Sequence, residues 1–321
     1  MTGVRAASAR GAFALLGQVP WGWAVAVLVL EAASMAAFAV MLRRLLAAGG
    51  AQVGVGPMLA TTFAANALSV SVPLAGPGLG TAFTFGRFTR QGADAPLAGW
   101  SLLAGGVVSS AAAALVVMVG GLSSGNVLAT AAAVPGGVLA VAVLVAVAVA
   151  ARRPRVRSAL ERPAAWTLSQ GARLLRRPAG DPRQTIRAWS GRLGSLRLPA
   201  SGWITVAGLA LANWLADAGA LAVSIHLAGA PVPWHLLLLI YGFGVAAQSL
   251  NIVPGGLGIT EGALGLALIA SGLHVSQAVA AVLLYRLASF WLVASAGWVV
   301  FLWLRYRRRS PAGGTGLCRA C

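Results

Sequence analysis

The sequence predicts an all-α, polytopic integral membrane protein with an inverted-topology repeat. The chain is 59% hydrophobic and 9% charged, with a mean hydropathy of +0.83, whereas a soluble domain carries about 25% charged residues. Two apolar stretches are interrupted by similar phrases, Pro73–Thr81 and Pro254–Glu261. Broken hydrophobic segments at corresponding places in two halves are typical of membrane transporters, so these phrases predict both the repeat and a substrate site.

Five uninterrupted stretches are long enough to cross a bilayer, which takes about 20 apolar residues. They are predicted at 20–42, 96–121, 127–151, 201–228 and 276–304. The interrupted stretches cover 57–85 and 233–272, and each is predicted to form a re-entrant hairpin. A polar turn is expected at 86–95.

The spans divide the chain into two halves with basic segments around them. The predicted organisation is a leader at 1–19, a first half at 20–151, an Arg-rich loop at 152–200, a second half at 201–304 and a basic tail at 305–321.

The charge pattern predicts the orientation. All 24 basic residues are Arg, the net charge is +18, and twelve of the Arg lie in 152–200. Basic loops beside spans stay in the cytoplasm, so this distribution favours a multi-pass protein of the bacterial inner membrane whose cytoplasmic face contacts anionic headgroups. It argues against nucleic-acid binding. The two hairpins then enter from opposite faces. The amino terminus, with Arg5 and Arg10, would lie outside, and a start further upstream that adds a span would remove that conflict.

Four ionisable residues fall within apolar segments, namely Glu31, Asp217, Glu261 and Arg286. A charge at mid-membrane costs about 3 kcal/mol on insertion scales, so each residue is a candidate for function. Arg286 is expected to form an ion pair, with Glu261 or Asp217, in preference to binding phosphate directly. Asp217 is expected to be structural, and Glu31 either pairs with Arg87 or faces a cavity.

The second phrase carries the sharpest hypothesis. Its glycines allow the backbone to turn, Thr260 is expected to cap the returning half-helix, and a half-helix amino terminus with free N–H groups binds anions. A phosphate would dock there while Glu261 faces a cationic headgroup or carries a proton. The alternative is that Glu261 only complements the helix dipole or pairs with Arg286.

Backbone that leaves the helix inside a bilayer must be buried in protein or line a polar cavity, so both phrases and the flanking Asn residues are predicted to contact substrate. The substrate-binding candidates are Asn66, Pro73, Gly76, Pro77, Gly78, Gly80, Asp217, Asn251, Pro254, Gly255, Gly256, Gly258, Thr260, Glu261 and Arg286. The sequence has no P-loop, nucleophile elbow or HExxH motif, and Cys318 and Cys321 have no two further zinc ligands nearby. We therefore expect no catalytic residue, no metal and no cofactor.

A specific pattern lies in the second half. It consists of the run Asn251–Glu261, which reads NIVPGGLGITE, then Gly272, and then Leu284-Tyr285-Arg286. This pattern resembles the lysylphosphatidylglycerol synthase transmembrane-region family, related to the flippase half of the bacterial lysyl-phospholipid synthase, and the resemblance spans most of the chain. In that family the aminoacyl-transferase chemistry belongs to a separate soluble domain, so the resemblance implies the membrane translocation part alone.

The first half departs from the family pattern. The family's first phrase ends in Gly-Glu, and a helix bearing Glu-Arg follows it. Here Gly80 is followed by Thr81, and the later helix reads LLAGG at 102–106. The acidic and basic partners of the first half are therefore absent.

Together these observations predict a lipid translocase rather than an enzyme. Its substrate would be an amphiphile with a phosphate-containing headgroup, either a modified phospholipid or a polyprenyl-phosphate-linked molecule. Two alternatives stay open. The chain would be, or would serve as the membrane partner of, a lipid-linked glycosyl or aminoacyl transferase; or it would be a non-transporting scaffold that recruits partners through residues 152–200.

Overall fold

A computed structural model describes residues 21–152 and 198–307. The predicted leader, most of the Arg-rich loop, and the end of the basic tail with Cys318 and Cys321 lie outside these ranges. The described helices are α1 (Trp21–Ala48), α2 (Val55–Ser71), α3 (Gly76–Arg90), α4 (Ala95–Ser123), α5 (Val127–Arg152), α6 (Ala200–Leu227), α7 (Trp234–Ser249), α8 (Ile259–Ala270), α9 (Val275–Arg286) and α10 (Val293–Tyr306). A 3₁₀ turn, Pro254–Gly256, precedes α8, and a π-helical turn, Leu287–Leu292, joins α9 and α10 into one continuous rod.

Within the described residues, five helical stretches are long and apolar enough to cross a membrane. They are Gly22–Ala48, Ala95–Ser123, Val127–Leu144, Ala200–Leu227 and Val275–Tyr306. These stretches fall on the five predicted spans, so the prediction of an all-α, polytopic membrane protein is confirmed.

The predicted polar turn at 86–95 was partly wrong, because residues 86–90 form the last turn of α3. Arg87 and Arg90 lie there, and their positive charge interacts favourably with the partial negative charge at the carboxyl end of the helix. The turn itself is short, and Asp94 starts α4 by accepting a hydrogen bond from the Leu97 N–H at 2.8 Å.

The first helices of the two halves, α1 and α6, lie side by side and run antiparallel. Near the start of α1, the Trp23 ring lies 4.9 Å from the His226 ring near the end of α6. Further along α1, Ser34 Oγ accepts a hydrogen bond from Asn213 Nδ2 at 2.7 Å. The partner number falls as the α1 number rises, and an antiparallel relation between equivalent helices is expected for an inverted repeat.

Each interrupted stretch forms two helices that contact each other, α2 with α3 and α7 with α8. Val53 before α2 and Ala93 after α3 share one hydrophobic cluster with Leu45 of α1. Leu237 at the start of α7 and Leu268 at the end of α8 share the other cluster. Each pair therefore leaves and returns to one end of the molecule. Re-entry of these pairs into a membrane stays a prediction.

Equivalent helices of the two halves make equivalent contacts with the opposite half. The helix that follows each pair packs against the first helix of the other pair, α4 against α7 and α10 against α2. A glycine allows the close approach of the helices in both contacts. A Cβ at Gly120 would meet the backbone of Leu238 and Leu239, and a Cβ at Gly297 would meet the backbone of Phe63. Beside Gly297, Trp298 Nε1 donates to Ser71 Oγ at 2.9 Å. Close backbone approach through small residues is a common way for membrane helices to associate.

Candidate functional site

The two apolar stretches are interrupted at 72–75, between α2 and α3, and at 250–258, between α7 and α8. We call these segments the first and the second break, and they contact each other. The Leu74 N–H in the first break donates a hydrogen bond to the carbonyl oxygen of Asn251 in the second, at 3.0 Å. Both residues have a left-handed backbone, with φ of 56° at Leu74 and 44° at Asn251. Asn tolerates this conformation, whereas Leu rarely adopts it. Such a conformation costs about 1–3 kcal/mol and is concentrated at functional sites.

A tight turn within the second break approaches the rod formed by α9 and α10. Gly255 in this 3₁₀ turn has a φ of 59°, and a Cβ there would overlap the ring of Phe290. The same ring lies 4.6 Å from the guanidinium carbon of Arg286. Gly255 is therefore required for both its conformation and the space it leaves to the rod.

Glu261 and Arg286 join α8 to the rod. Arg286 Nε donates to Glu261 Oε1 at 2.6 Å, and Arg286 Nη2 donates to the Gly255 carbonyl oxygen at 2.6 Å. The Arg286 side chain is 4% exposed and that of Glu261 is 25% exposed. Arg286 therefore pairs with Glu261, which was the first of the two partners considered from sequence.

The amino terminus of α8 is capped by its own chain. The other carboxylate oxygen of Glu261 accepts a hydrogen bond from the Gly258 N–H at 2.6 Å. The expectation that Thr260 caps this helix was wrong, because Gly258 occupies the cap position with a φ of 84°. A phosphate at this amino terminus would therefore compete with the Glu261 carboxylate.

A cavity of about 290 Å³ lies between the two halves beside the breaks. Its wall combines residues of α2, α3, α6, α7, α8, α9 and the second break. Residues lining it include Asn66, Ser69, Pro77, Trp214, Asp217, Tyr241, Gln248, Asn251, Gly255, Thr260 and Tyr285.

Two polar side chains of this wall have an unsatisfied hydrogen-bonding atom. Neither Asn251 Nδ2 nor Thr260 Oγ1 has a hydrogen-bond partner in the described chain, and both atoms are buried. Thr260 is only 2% exposed. An unpaired buried polar group costs about 1–3 kcal/mol, so these atoms are available to a polar ligand at little further desolvation cost.

Asp217 is held in the cavity wall by two tyrosines. Tyr241 Oη donates to Asp217 Oδ2 at 2.7 Å, and Tyr285 Oη donates to Asp217 Oδ1 at 2.8 Å. Glu31 of α1 lies opposite Asp217, because its position falls between the Trp23–His226 and Ser34–Asn213 contacts of α1 with α6. Among the described residues, the structure shows no ion pair between Glu31 and Arg87, the pairing that was one of the two alternatives from sequence.

Six of the predicted substrate-binding residues line the cavity, namely Asn66, Pro77, Asp217, Asn251, Gly255 and Thr260. The remaining candidates form its frame. Glu261 and Arg286 tie α8 to the rod, and Gly76 and Gly80 let α3 lie against the α2 backbone, where a Cβ would overlap main-chain atoms. Gly78 lies in the first turn of α3, and Pro73, Pro254, Gly256 and Gly258 belong to the breaks. Contact of any of these residues with a substrate stays a prediction.

Sequence reasoning missed four prominent lining residues: Trp214, Tyr241, Gln248 and Tyr285. Trp214 lies three residues before Asp217 and so shares its helix face, while Tyr285 directly precedes Arg286. Tyr241 and Gln248 are seven apart on α7, which also places them on one face. That spacing was a signal available in the sequence.

The fold and this cavity define a polytopic α-helical membrane protein with a polar site where two broken helices meet. The chain belongs to the family described as Lysylphosphatidylglycerol synthase TM region, whose pattern matches residues 4–297. The resemblance expected from the second phrase is thereby confirmed, and membership makes this a lipid-related membrane protein. A comparison with curated proteins gives no match.

Proposed function

We propose that this protein is a lipid translocase of the bacterial inner membrane. The headgroup of a phosphate-containing amphiphile would pass through the cavity while its chains stay in the bilayer. The observation that carries this proposal is the position of the cavity, beside two contacting breaks and lined by the unpartnered atoms Asn251 Nδ2 and Thr260 Oγ1. Irregular backbone at membrane depth is tolerated where it lines a polar cavity, as it does at transporter sites.

The surroundings of the cavity suit a lipid whose chains remain outside. Leu74 in the first break is 77% exposed, and Leu250 and Ile252 in the second are each 56% exposed. A volume of about 290 Å³ is at the small end for ligand sites, so it accommodates a polar headgroup but not a whole lipid. Translocation down a gradient needs no nucleotide site.

The chemistry of the wall favours a headgroup that bears both charges. Asn66, Gln248 and Asn251 offer amide donors to phosphate oxygens, and Asp217 offers a negative charge to an amino group. No Arg or His lies among the described lining residues, since Arg286 is committed to Glu261 behind the wall. We therefore favour a phospholipid with an amino group over a polyprenyl phosphate as the substrate.

The test is lipid translocation in proteoliposomes with three fluorescent substrates: phosphatidylglycerol, an aminoacylated derivative of it, and a short polyprenyl phosphate. Thr260→Val removes the unpartnered hydroxyl and keeps the side-chain shape. Because one hydrogen bond to a ligand is worth about 0.5–1.5 kcal/mol, we expect a roughly threefold to tenfold slower translocation of the preferred lipid.

Ser101→Ala is the matched control. Its hydroxyl is also buried without a partner in the described chain, but it lies on α4 and is not among the lining residues. We expect a wild-type rate. An equal loss of translocation rate in Thr260→Val and Ser101→Ala would show that the cavity is not the lipid site. Absence of movement of all three lipids by folded wild-type protein would contradict the translocase and favour a transferase partner or a scaffold.

A further inference from the structure

A second polar site lies beside the cavity, where the first helices of the two halves meet. Glu31 of α1 and Asp217 of α6 lie opposite each other, because both fall between the Trp23–His226 and Ser34–Asn213 contacts of these antiparallel helices. Glu31 is 4% exposed, and its Oε1 has no partner in the described chain. Asp217 also lines the cavity, so one member of the pair is buried between helices and the other reaches the space where a headgroup would sit.

The surroundings of the pair require a proton on it. Two ionised carboxylates side by side in a low-dielectric interior repel each other, so a buried pair without a cation for each member keeps one proton. Both oxygens of Asp217 accept from phenols, those of Tyr241 and Tyr285, as an ionised carboxylate would. Glu31, whose Oε1 has no hydrogen-bond partner in the described chain, is therefore the member that holds the proton.

The charged and titratable surroundings of the pair are few. Tyr241 comes from α7 and Tyr285 from α9, and Arg286 of α9 is close enough to act on Asp217 electrostatically. The other described elements that contact α1 or α6 extensively are α2, α4 and the π turn, and they contain no titratable residue. The proton of Glu31 thus faces one carboxylate, two phenols and one guanidinium held by Glu261.

We propose that Glu31 and Asp217 form a proton-binding site through which this protein couples lipid movement to proton movement. The coupling, though not the site, rests on the proposed function. A second observation at the same cavity points to a ligand, since the buried hydroxyl of Thr260 faces it unpartnered.

The proton itself makes the coupling. It enters through Asp217 from cavity water, passes to Glu31, and leaves by the same atoms to the other side, so one O–H bond forms as another breaks. While it is bound, the pair holds α1 against α6. When it leaves, two carboxylates face each other in a low dielectric across the boundary between the halves, and their repulsion favours separation.

The test combines two measurements on the full chain. In proteoliposomes, a gradient of one pH unit should drive the aminoacylated lipid to a steady-state imbalance of up to about tenfold, because one pH unit on one proton corresponds to tenfold in an equilibrium. Infrared spectra should show a protonated-carboxyl C=O band in wild-type protein that is lost in Glu31→Gln. In this variant the lipid distribution should no longer respond to the pH gradient.

Two further variants complete the design. Glu31→Asp keeps a carboxyl group and should retain part of the gradient response. Asp94→Asn removes an exposed carboxylate at the start of α4 and should behave as wild type. If Glu31→Gln does not fold, the wild-type response and the Glu31→Asp spectrum decide.

The outcomes separate this inference from the proposed function. Lipid movement by the wild type with no response to the pH gradient would overturn the coupling and leave the translocase intact. If no lipid moves, the translocase fails, and the infrared band alone judges the site: loss in Glu31→Gln supports it, and persistence in both Glu31→Gln and Asp217→Asn overturns it.

Discussion

The Leu74 N–H donates a hydrogen bond to the Asn251 carbonyl oxygen, so the breaks of the two halves are joined through main-chain atoms. Each break is thereby held in a left-handed backbone conformation by the other. This contact holds the two interruptions next to the cavity without using any side chain that a ligand would need.

We expect Leu74→Gly to stabilise the protein by about 1 kcal/mol, because glycine adopts a φ of 56° without steric cost. The exposed Leu74 side chain contributes little packing. Thermal unfolding in detergent measures the change. Leu103→Gly is the control, since Leu103 is 69% exposed but lies inside α4, where glycine should destabilise by about 1 kcal/mol. Equal destabilisation in both variants would show that Leu74 stores no strain.

Removal of one member of the Glu261–Arg286 pair should be strongly destabilising. Arg286→Ala leaves the Glu261 carboxylate and the Gly255 carbonyl without their donor, and loss of one partner of a buried pair costs about 3–5 kcal/mol. Arg286→Lys should recover only part of this, because an ammonium does not reproduce the two directed N–H bonds.

Glu261→Gln completes a double-mutant cycle with Arg286→Ala, measured as free energy of unfolding in denaturant. A coupling energy of about 0.5–3 kcal/mol is expected for side chains in direct contact. Additive effects would mean that the two residues act independently, and Glu261 would then serve only as the cap of α8.

Alanine at Gly297 should disturb the boundary between the halves. Its Cβ would press on the Phe63 backbone, which cannot move as a side-chain end can. We expect a loss of about 1–3 kcal/mol in unfolding free energy, the usual cost of overpacking. Gly106→Ala is the matched control: a Cβ there meets nothing within 4 Å, so the gain in helix propensity should stabilise the protein by up to about 1 kcal/mol.

The orientation of the hairpins is testable by cysteine labelling from either side of the membrane. With Cys318 and Cys321 replaced by Ala, Gln52→Cys before α2 should react with an impermeant reagent only from the cytoplasm, and Pro231→Cys before α7 only from outside. Both positions are exposed and lie outside helices. Labelling of both from one side would contradict the inverted arrangement.

Hydropathy was sufficient to predict the spans and their interruptions, because a bilayer imposes a minimum apolar length and Pro-Gly phrases such as Pro254–Gly258 end helices. The same rules located the cavity beside Asn66 and Asn251. Where the sequence was ambiguous was in choosing partners: Arg286 had two candidate acids at similar depth, and only the path of the backbone places Glu261 beside it.

The Glu31–Asp217 contact was outside the reach of sequence patterns. Its members lie in different halves, and their meeting depends on how α1 and α6 pack in register. Two acids also give no pairing signal by charge, since like charges are expected to avoid each other. The π turn was likewise missed, because Leu287–Leu292 has the apolar composition of any buried helix.

That wide turn has a mechanical consequence. Tyr285, just before it, lines the cavity, and Arg286 binds Glu261, while Gly297 and Trp298, after it, contact α2. One residue corresponds to about 100° of rotation in an α-helix, and a π turn takes up one extra residue. The π turn therefore changes the rotational register of α10 relative to α9, so the two helices present their side chains to different neighbours. Deleting one residue there would preserve every functional side chain and still turn one set away from its target.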